Sequence, residues 1–149
     1  MAVDAVAGLV LLRWIAGRQD SPTAAVTRAA ALAAHGDWAG LHARLCRPDQ
    51  ARITPADLAD TGRAALLTLR GLDRAEVTSV TDITLPVDLP VVGVVGLPAR
   101  QVRGHLLASL GPPSDFAVVA VREAAGWRVC LSVGGYASSG LGVDVPVGG

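Results

Sequence analysis

The sequence contains no lysine and no asparagine, and aromatic residues make up only 3% of its 149 positions. All 13 basic residues are therefore arginines, and they balance 13 acidic residues to a formal net charge of zero. The arginines are scattered singly and form no basic stripe, which argues against nucleic acid as a partner. A composition rich in alanine, valine, leucine and arginine is typical of GC-rich bacterial genomes, with actinobacteria as the first candidate source.

The sequence also lacks a hydrophobic run long enough to cross a bilayer. Its apolar N-terminal stretch covers only residues 5–12, whereas a membrane-spanning helix needs about 20 residues. Asp4 lies where a signal peptide would carry positive charge, and no convincing cleavage site precedes Arg18. We therefore expect residues 1–20 to form either a helix that docks on its own domain or the remnant of a membrane tether whose upstream part is missing.

Several sequence motifs of enzymes and cofactor sites are absent. The segment Gly93–Gly96 lacks the GxGxxG order and a following helix, so it predicts no phosphate-binding loop. No GxSxG nucleophile motif occurs. The chain has no CxxC pair and only three histidines, which argues against a zinc site. We expect neither a metal nor a cofactor.

The first half of the chain carries three helix signals. Ser21, Asp37 and Thr54 are suited to capping a helix N-terminus, and proline follows the serine and the threonine directly. Apolar residues then recur at helical spacing. The predicted helices cover residues 22–35, residues 38–46, where Arg47-Pro48 ends the helix, and residues 55 to near Gly71.

After Asp73 the apolar period changes from that of a helix to that of a strand. Consecutive strands after a group of helices indicate an α+β fold, with N-terminal helices packed on an antiparallel sheet. This domain is predicted over residues 21–133, followed by a glycine-rich tail over residues 134–149. The predicted strands cover residues 77–85, 90–97, 102–110, 116–123 and 127–133, the last two joined as a hairpin.

Two segments carry motifs of a known family: residues 33–49 (AAHGDWAGLHARLCRPD) contain a Gly-Asp-aromatic junction between two predicted helices, and residues 123–130 (EAAGWRVC) place an acidic residue and Gly-Trp before the last strand. These motifs resemble the first helical hairpin and the closing hairpin of the nuclear-transport-factor-two-like superfamily, also called the cystatin-like α+β fold, which includes ketosteroid isomerase, scytalone dehydratase and polyketide cyclases. The nearest likeness is to small actinobacterial, envelope-associated members of unknown function. The resemblance implies a curved sheet that forms a conical pocket with the helices.

Those members pair a Leu-Cys at the second helix with a Trp-x-Val-Cys in the last strand, here Cys46 and Cys130. The two cysteines are therefore a disulfide candidate, with two free core thiols or part of a metal site as alternatives. A disulfide would imply an oxidising compartment. We accordingly favour the cell envelope, while a cytoplasmic location stays open. Against the disulfide, strand alternation places Cys130 opposite Trp127 and Val129, away from the helices unless a bulge rotates it.

The enzymes of this superfamily place an Asp, His or Tyr in the pocket for proton transfer. The candidates that the resemblance implies here are His42, Asp82 and His105. General acid–base catalysis needs such groups within hydrogen-bonding reach of each other or of a substrate, and the sequence shows no such convergence. We interpret His105 as a surface residue and His42 as a histidine at the edge of the core.

Without an acid–base cluster, the sequence favours a non-catalytic module that binds a small apolar ligand or a partner protein. The alternative is a small isomerase, dehydratase or cyclase acting on a hydrophobic substrate, with His42 or Asp82 as the base.

Two structural expectations complete the analysis. Trp38 and Trp127 should anchor the core, each more than three-quarters buried, because a chain with few aromatic residues can hardly leave their large apolar surfaces in water. Ala117, Val119 and Val121 leave the reverse face of their strand apolar as well, which predicts a homodimer that forms through the sheet.

Overall fold

The structure, a computed structural model, describes residues 20–89 and 91–131. Within these ranges four helices precede four strands. The helices are α1 (Pro22–Ala34), α2 (Trp38–Ala43), α3 (Arg47–Arg52) and α4 (Pro55–Leu69). The strands are β1 (Arg74–Leu89), β2 (Gly93–Leu107), β3 (Ser114–Glu123) and β4 (Gly126–Cys130), and they form one antiparallel sheet in that order. The chain is thus an α+β protein.

The predictions for the N-terminal segment before Asp20 and for the tail over residues 134–149 lie outside the described residues.

The three predicted helix starts are confirmed by their caps. The Ser21 hydroxyl accepts a hydrogen bond from a backbone N–H at 3.0 Å, the Asp37 carboxylate accepts one at 2.9 Å, and the Thr54 hydroxyl accepts one at 3.1 Å. Each cap satisfies a helix N–H that has no partner within the helix. The predicted bounds of α1 and α4 also agree closely with the structure.

The prediction that Arg47-Pro48 ends the second helix missed α3. The second helix ends already at Ala43, and Arg47 begins a new helix with Pro48 in its first turn. Proline ends a preceding helix and begins the next one equally well, because a residue in the first turn needs no N–H for an intrahelical bond. Residues 44–46 therefore form a separate link between α2 and α3.

The two strands predicted at residues 90–97 and 102–110 are one continuous strand, β2. Among the described residues, those of β2 before Ala99 pair only with β1, so β2 is an edge of the described sheet along this stretch. Pro98 is compatible with the strand there, because the open side of an edge strand requires no N–H donor. Residues 98–101, which the prediction left between two strands, are therefore part of one long strand.

A bulge in β1 gives the sheet two apolar faces. The register between β1 and β2 shifts between Val77 and Ser79. One extra residue reverses the direction of all side chains that follow it. Val77 therefore packs toward the helices, whereas Ile83 and Leu85 belong to a cluster on the opposite face.

The cluster between the helices and the sheet, here called the helix-side cluster, contains Trp38, which is only 8% exposed. Its burial confirms the prediction for Trp38. Trp127 packs against the same cluster but is only partly buried, so Trp38 is the more deeply buried of the two tryptophans. Other members of the helix-side cluster are Val26, Leu41, Leu45, Leu58, Val102, Ala120 and Val129.

The opposite face of the sheet carries a second cluster, here called the reverse-side cluster. Its buried members are Cys46, Leu85, Ala99, Val119, Val121 and Cys130. Val119 and Val121 are only 2% and 1% exposed, so they add little accessible surface to the interface expected on this face. The homodimer stays a prediction.

Cys46 and Cys130 form a disulfide, so the alternative of two free thiols is wrong. The link after α2 runs beside β4: the Cys46 N–H donates to the Val129 carbonyl at 2.8 Å, and Leu45 bridges to Val129 in parallel orientation. Successive residues of extended chain point to opposite faces. Leu45 thus enters the helix-side cluster and Cys46 the reverse-side cluster. Cys130 does lie on the face opposite the helices, and the disulfide needs no bulge in β4.

Candidate functional site

An apolar groove of about 380 Å³ lies between α1, α4 and the sheet. The helix α1 packs across the sheet, whereas α4 packs mainly on α2. The space between α4 and the strands is therefore filled incompletely. Side chains from both helices, from Trp38 in α2 and from the three strands β1, β2 and β3 line it.

The small side chains of α1 explain why space remains beneath it. The helix presents Ala29, Ala30 and Ala33 to the groove, and each alanine occupies far less volume than the leucines common at such positions. Because protein interiors are otherwise close-packed, a row of alanines between a helix and a sheet leaves a concavity where leucines would fill it.

A close approach of α2 and α4 sets one end of the groove. Trp38 packs against Gly62 in the middle of α4, where a Cβ atom would overlap the six-membered part of the indole ring. Glycine inside a helix costs about 1 kcal/mol relative to alanine. Here it allows the tryptophan ring to lie directly on the helix backbone, so the Trp38 ring becomes a wall of the groove.

The groove lining is almost entirely hydrocarbon. Among the described lining residues none carries an ionisable side chain, and Thr61 supplies the only hydroxyl. Such a surface can hold an apolar molecule through burial, but its described lining offers no group for general acid–base catalysis.

None of the three candidate catalytic residues lines the groove. His42 lies at the core edge, where its Nε2 is 2.6 Å from the Ile53 carbonyl oxygen. Asp82 is exposed on β1 and forms an ion pair with Arg100. His42 and Asp82 thus lie apart from each other, and each already has a polar partner of its own.

His105, the third candidate, lies on β2 with much of its side chain in solvent. Its Nδ1 is 2.7 Å from Oδ1 of Asp115, an exposed residue on the neighbouring strand β3. This cross-strand contact accounts for the position of His105 without a ligand.

One cluster of metal-ligand atoms occurs among the described residues, formed by Cys46, Asp49 and Cys130 within 4.8 Å of one another. Two of its three members are joined in the disulfide and therefore supply no thiolate. With the disulfide formed, the Asp49 carboxylate is the only group of this cluster that could still bind a metal ion. The cluster does not form a metal site in this state.

Asp49 was not singled out in the sequence, yet it is completely buried. Its Oδ2 accepts a hydrogen bond from the Leu131 N–H at 2.6 Å and so ties α3 to the end of β4. Nothing in the segment Arg47–Arg52 marks this aspartate as buried, because its hydrogen-bond partner Leu131 lies 82 positions away in the sequence.

The chain matches no known family model, and neither a curated protein nor a solved structure is significantly similar to it. Among the described residues, no helix combines the length and the hydrophobicity needed to cross a membrane.

Proposed function

We propose that this chain is a non-catalytic module of cystatin-like architecture that binds a small apolar ligand in the groove between α1, α4 and the sheet. The main support for the proposal is the hydrocarbon lining of the groove. The volume of the groove, about 380 Å³, lies within the range of roughly 300 to 1,000 Å³ of small-molecule sites. Helices that pack on one face of an antiparallel sheet and leave a concavity between them support the cystatin-like part of the proposal.

The chemistry of the lining defines the ligand class. Binding free energy comes from removing apolar ligand surface from water, at about 25 cal/mol per Å². A charged or strongly polar group would lose its hydration in this groove and find almost nothing to bind, which is costly. Thr61 brings the only hydroxyl among the described lining residues, so the ligand should carry at most one weakly polar group.

The disulfide supports a location outside the reducing cytoplasm. Cys46 and Cys130 are 0% and 1% exposed and lie within an apolar cluster. Disulfides of this structural kind are rare in cytosolic proteins, where thiols are kept reduced. We therefore assign the module to the cell envelope.

A titration with N-phenylnaphthylamine, an uncharged apolar fluorophore, tests the function. The unsubstituted chain should give a saturable rise in fluorescence. Ala65→Trp places a large ring in the groove and should weaken binding by about tenfold or more, since it removes the space that the ligand occupies.

The matched control is Ala64→Trp. Ala64 is exposed on the same helix and does not line the groove, so this variant should bind like the unsubstituted chain. The proposal is wrong if the unsubstituted chain shows no saturable binding, or if the two tryptophan variants lose affinity equally.

A further inference from the structure

A second concavity, which we call the arginine pocket, lies beside the start of α1 and has a volume of about 330 Å³. Arg28, Arg44 and Arg128 line it together with Asp20 and Trp127. No described residue lines both this pocket and the apolar groove, and α1 presents different side chains to each. The arginine pocket is therefore a separate site whose chemistry does not depend on the groove.

The fold brings the three arginines together from distant parts of the chain. Arg28 lies on α1, and Arg44 directly follows the last residue of α2. The backbone of Arg44 is held against the sheet because its carbonyl accepts a hydrogen bond from the Val129 N–H at 3.2 Å. Arg128 projects from β4, and its Nη1 donates to the Ala43 carbonyl at 2.7 Å. The contact between residues 44–46 and β4, which also positions the disulfide, thus assembles the pocket.

The positive charge of the pocket is only partly balanced. Among the described residues, none of the three arginines forms an ion pair with a carboxylate. Among the described lining residues Asp20 is the single acidic one, and its Oδ1 accepts a hydrogen bond from the Trp127 backbone N–H at 3.0 Å. Three positive charges against one negative charge give the described lining a net charge of two positive units.

The arginines repel one another where they meet. Partial burial, followed by the positive charges of Arg28 and Arg128, lowers the pKa of the Arg44 guanidinium from its ordinary value. Arginine nevertheless stays protonated in proteins. The folded chain therefore holds like charges close together, and a bound anion would relieve that repulsion.

We propose that the arginine pocket binds a phosphate group as a dianion, either free phosphate, a soluble phosphate monoester or the phosphate of a lipid headgroup. A dianion matches the net charge of the lining. Each guanidinium presents planar paired donors that fit two oxygens of a tetrahedral oxyanion, so three of them can surround a single phosphate. A monocarboxylate would leave one positive charge uncompensated.

The first experiment measures binding by isothermal titration calorimetry at constant ionic strength. Inorganic phosphate and glycerol phosphate should bind to the full chain in a saturable manner. Arg44→Gln and Arg28→Gln should each weaken binding by about tenfold or more, because each removes a charge-assisted hydrogen-bonding group. Arg52→Gln is the matched control: Arg52 is exposed on α3 and does not line the pocket.

The melting temperature separates loss of the site from loss of the fold. Without phosphate, Arg44→Gln should melt at a higher temperature than the unsubstituted chain, since the substitution removes the repulsion from Arg28 and Arg128. Phosphate should raise the melting temperature of the unsubstituted chain and of Arg52→Gln, but not that of Arg44→Gln. If Arg44 instead had a structural role, Arg44→Gln would melt at a lower temperature than the unsubstituted chain both with and without phosphate.

Flotation with vesicles distinguishes the sources of the phosphate group. Binding to phosphatidylcholine vesicles that contain phosphatidic acid, lost in Arg28→Gln and Arg44→Gln, identifies a lipid headgroup. Saturable binding of the soluble phosphates without attachment to these vesicles identifies a soluble ligand. The proposal is overturned if neither form binds, or if Arg52→Gln reduces binding as strongly as the two pocket variants.

Discussion

The two faces of the sheet are stabilised by different means. The helix-side cluster contains Trp38 and the leucines of the helices, and its contacts are non-covalent. Among the described residues, the reverse-side cluster has no buried aromatic side chain, but it contains the disulfide between Cys46 and Cys130. In a chain with so few aromatic side chains, a large ring anchors one face and a covalent bond anchors the other.

The stability of the two faces therefore depends on different residues and on different solution conditions. The helix-side cluster stabilises the fold through apolar burial and so responds to the size of its side chains. The disulfide stabilises mainly by restricting the unfolded chain. The reverse face should accordingly be sensitive to reducing agents, and the helix side to substitution.

The largest effect is expected from removing the disulfide by Cys46→Ala together with Cys130→Ala. The two cysteines are 84 positions apart, and opening a loop of that length should lower the free energy of unfolding by about 4 to 5 kcal/mol. Urea denaturation followed by circular dichroism measures the change. The unsubstituted chain in reducing agent should unfold near the same midpoint, and an unchanged midpoint in the double variant would contradict this account of the reverse face.

On the helix side, Trp38→Ala should lower the free energy of unfolding by about 3 to 5 kcal/mol, because it opens a cavity among buried side chains. Trp127→Ala is the natural comparison and should cost less, since Trp127 is only partly buried. Urea denaturation of both variants measures the difference. An equal or larger loss of stability for Trp127→Ala would contradict this account, because it would show that Trp38 is not the main anchor of the helix side.

A smaller effect is expected for Gly62→Ala, which should destabilise this chain although glycine-to-alanine changes inside helices usually stabilise. In most helices this change stabilises by about 1 kcal/mol, but here the new Cβ would overlap the Trp38 ring. We expect a loss of about 1 to 3 kcal/mol from overpacking, measured by thermal or urea denaturation. In a chain that already carries Trp38→Ala, the same change should become neutral or stabilising. A gain in stability with the ring present would disprove the close contact.

Much of the fold could be predicted because its signals are local. Ser21, Asp37 and Thr54 cap helices through bonds to residues three positions away, and the hairpin between β3 and β4 is closed by a short turn. One error occurred where a local signal has two outcomes, because Pro48 both follows one helix and begins another. The other was to leave residues 98–101 between two predicted strands, although they belong to the single strand β2.

The candidate sites could be predicted only in part. An apolar pocket between the helices and the sheet was expected from the resemblance to the nuclear-transport-factor-two-like superfamily, and an apolar groove lies there. The polar residues expected in it, His42, Asp82 and His105, lie elsewhere. A residue type at a given position of a strand or helix does not fix which residues from other elements lie beside it.

By itself, then, the sequence determined the α+β class, the helix caps and the change from helical to strand periodicity, because each depends on residues that are close along the chain. It also indicated the burial of Trp38, because a chain with few aromatic residues can hardly leave so large an apolar side chain in water. Only the tertiary structure decided that arginines scattered singly in the sequence meet in one pocket, and that Cys46 reaches the face of Cys130. The pairing of residues 44–46 with β4 brings Cys46 to the face of Cys130 and Arg44 beside Arg128, and the packing of α1 on the sheet adds Arg28. Contacts between segments so far apart depend on how the elements pack together, which local residue preferences do not specify.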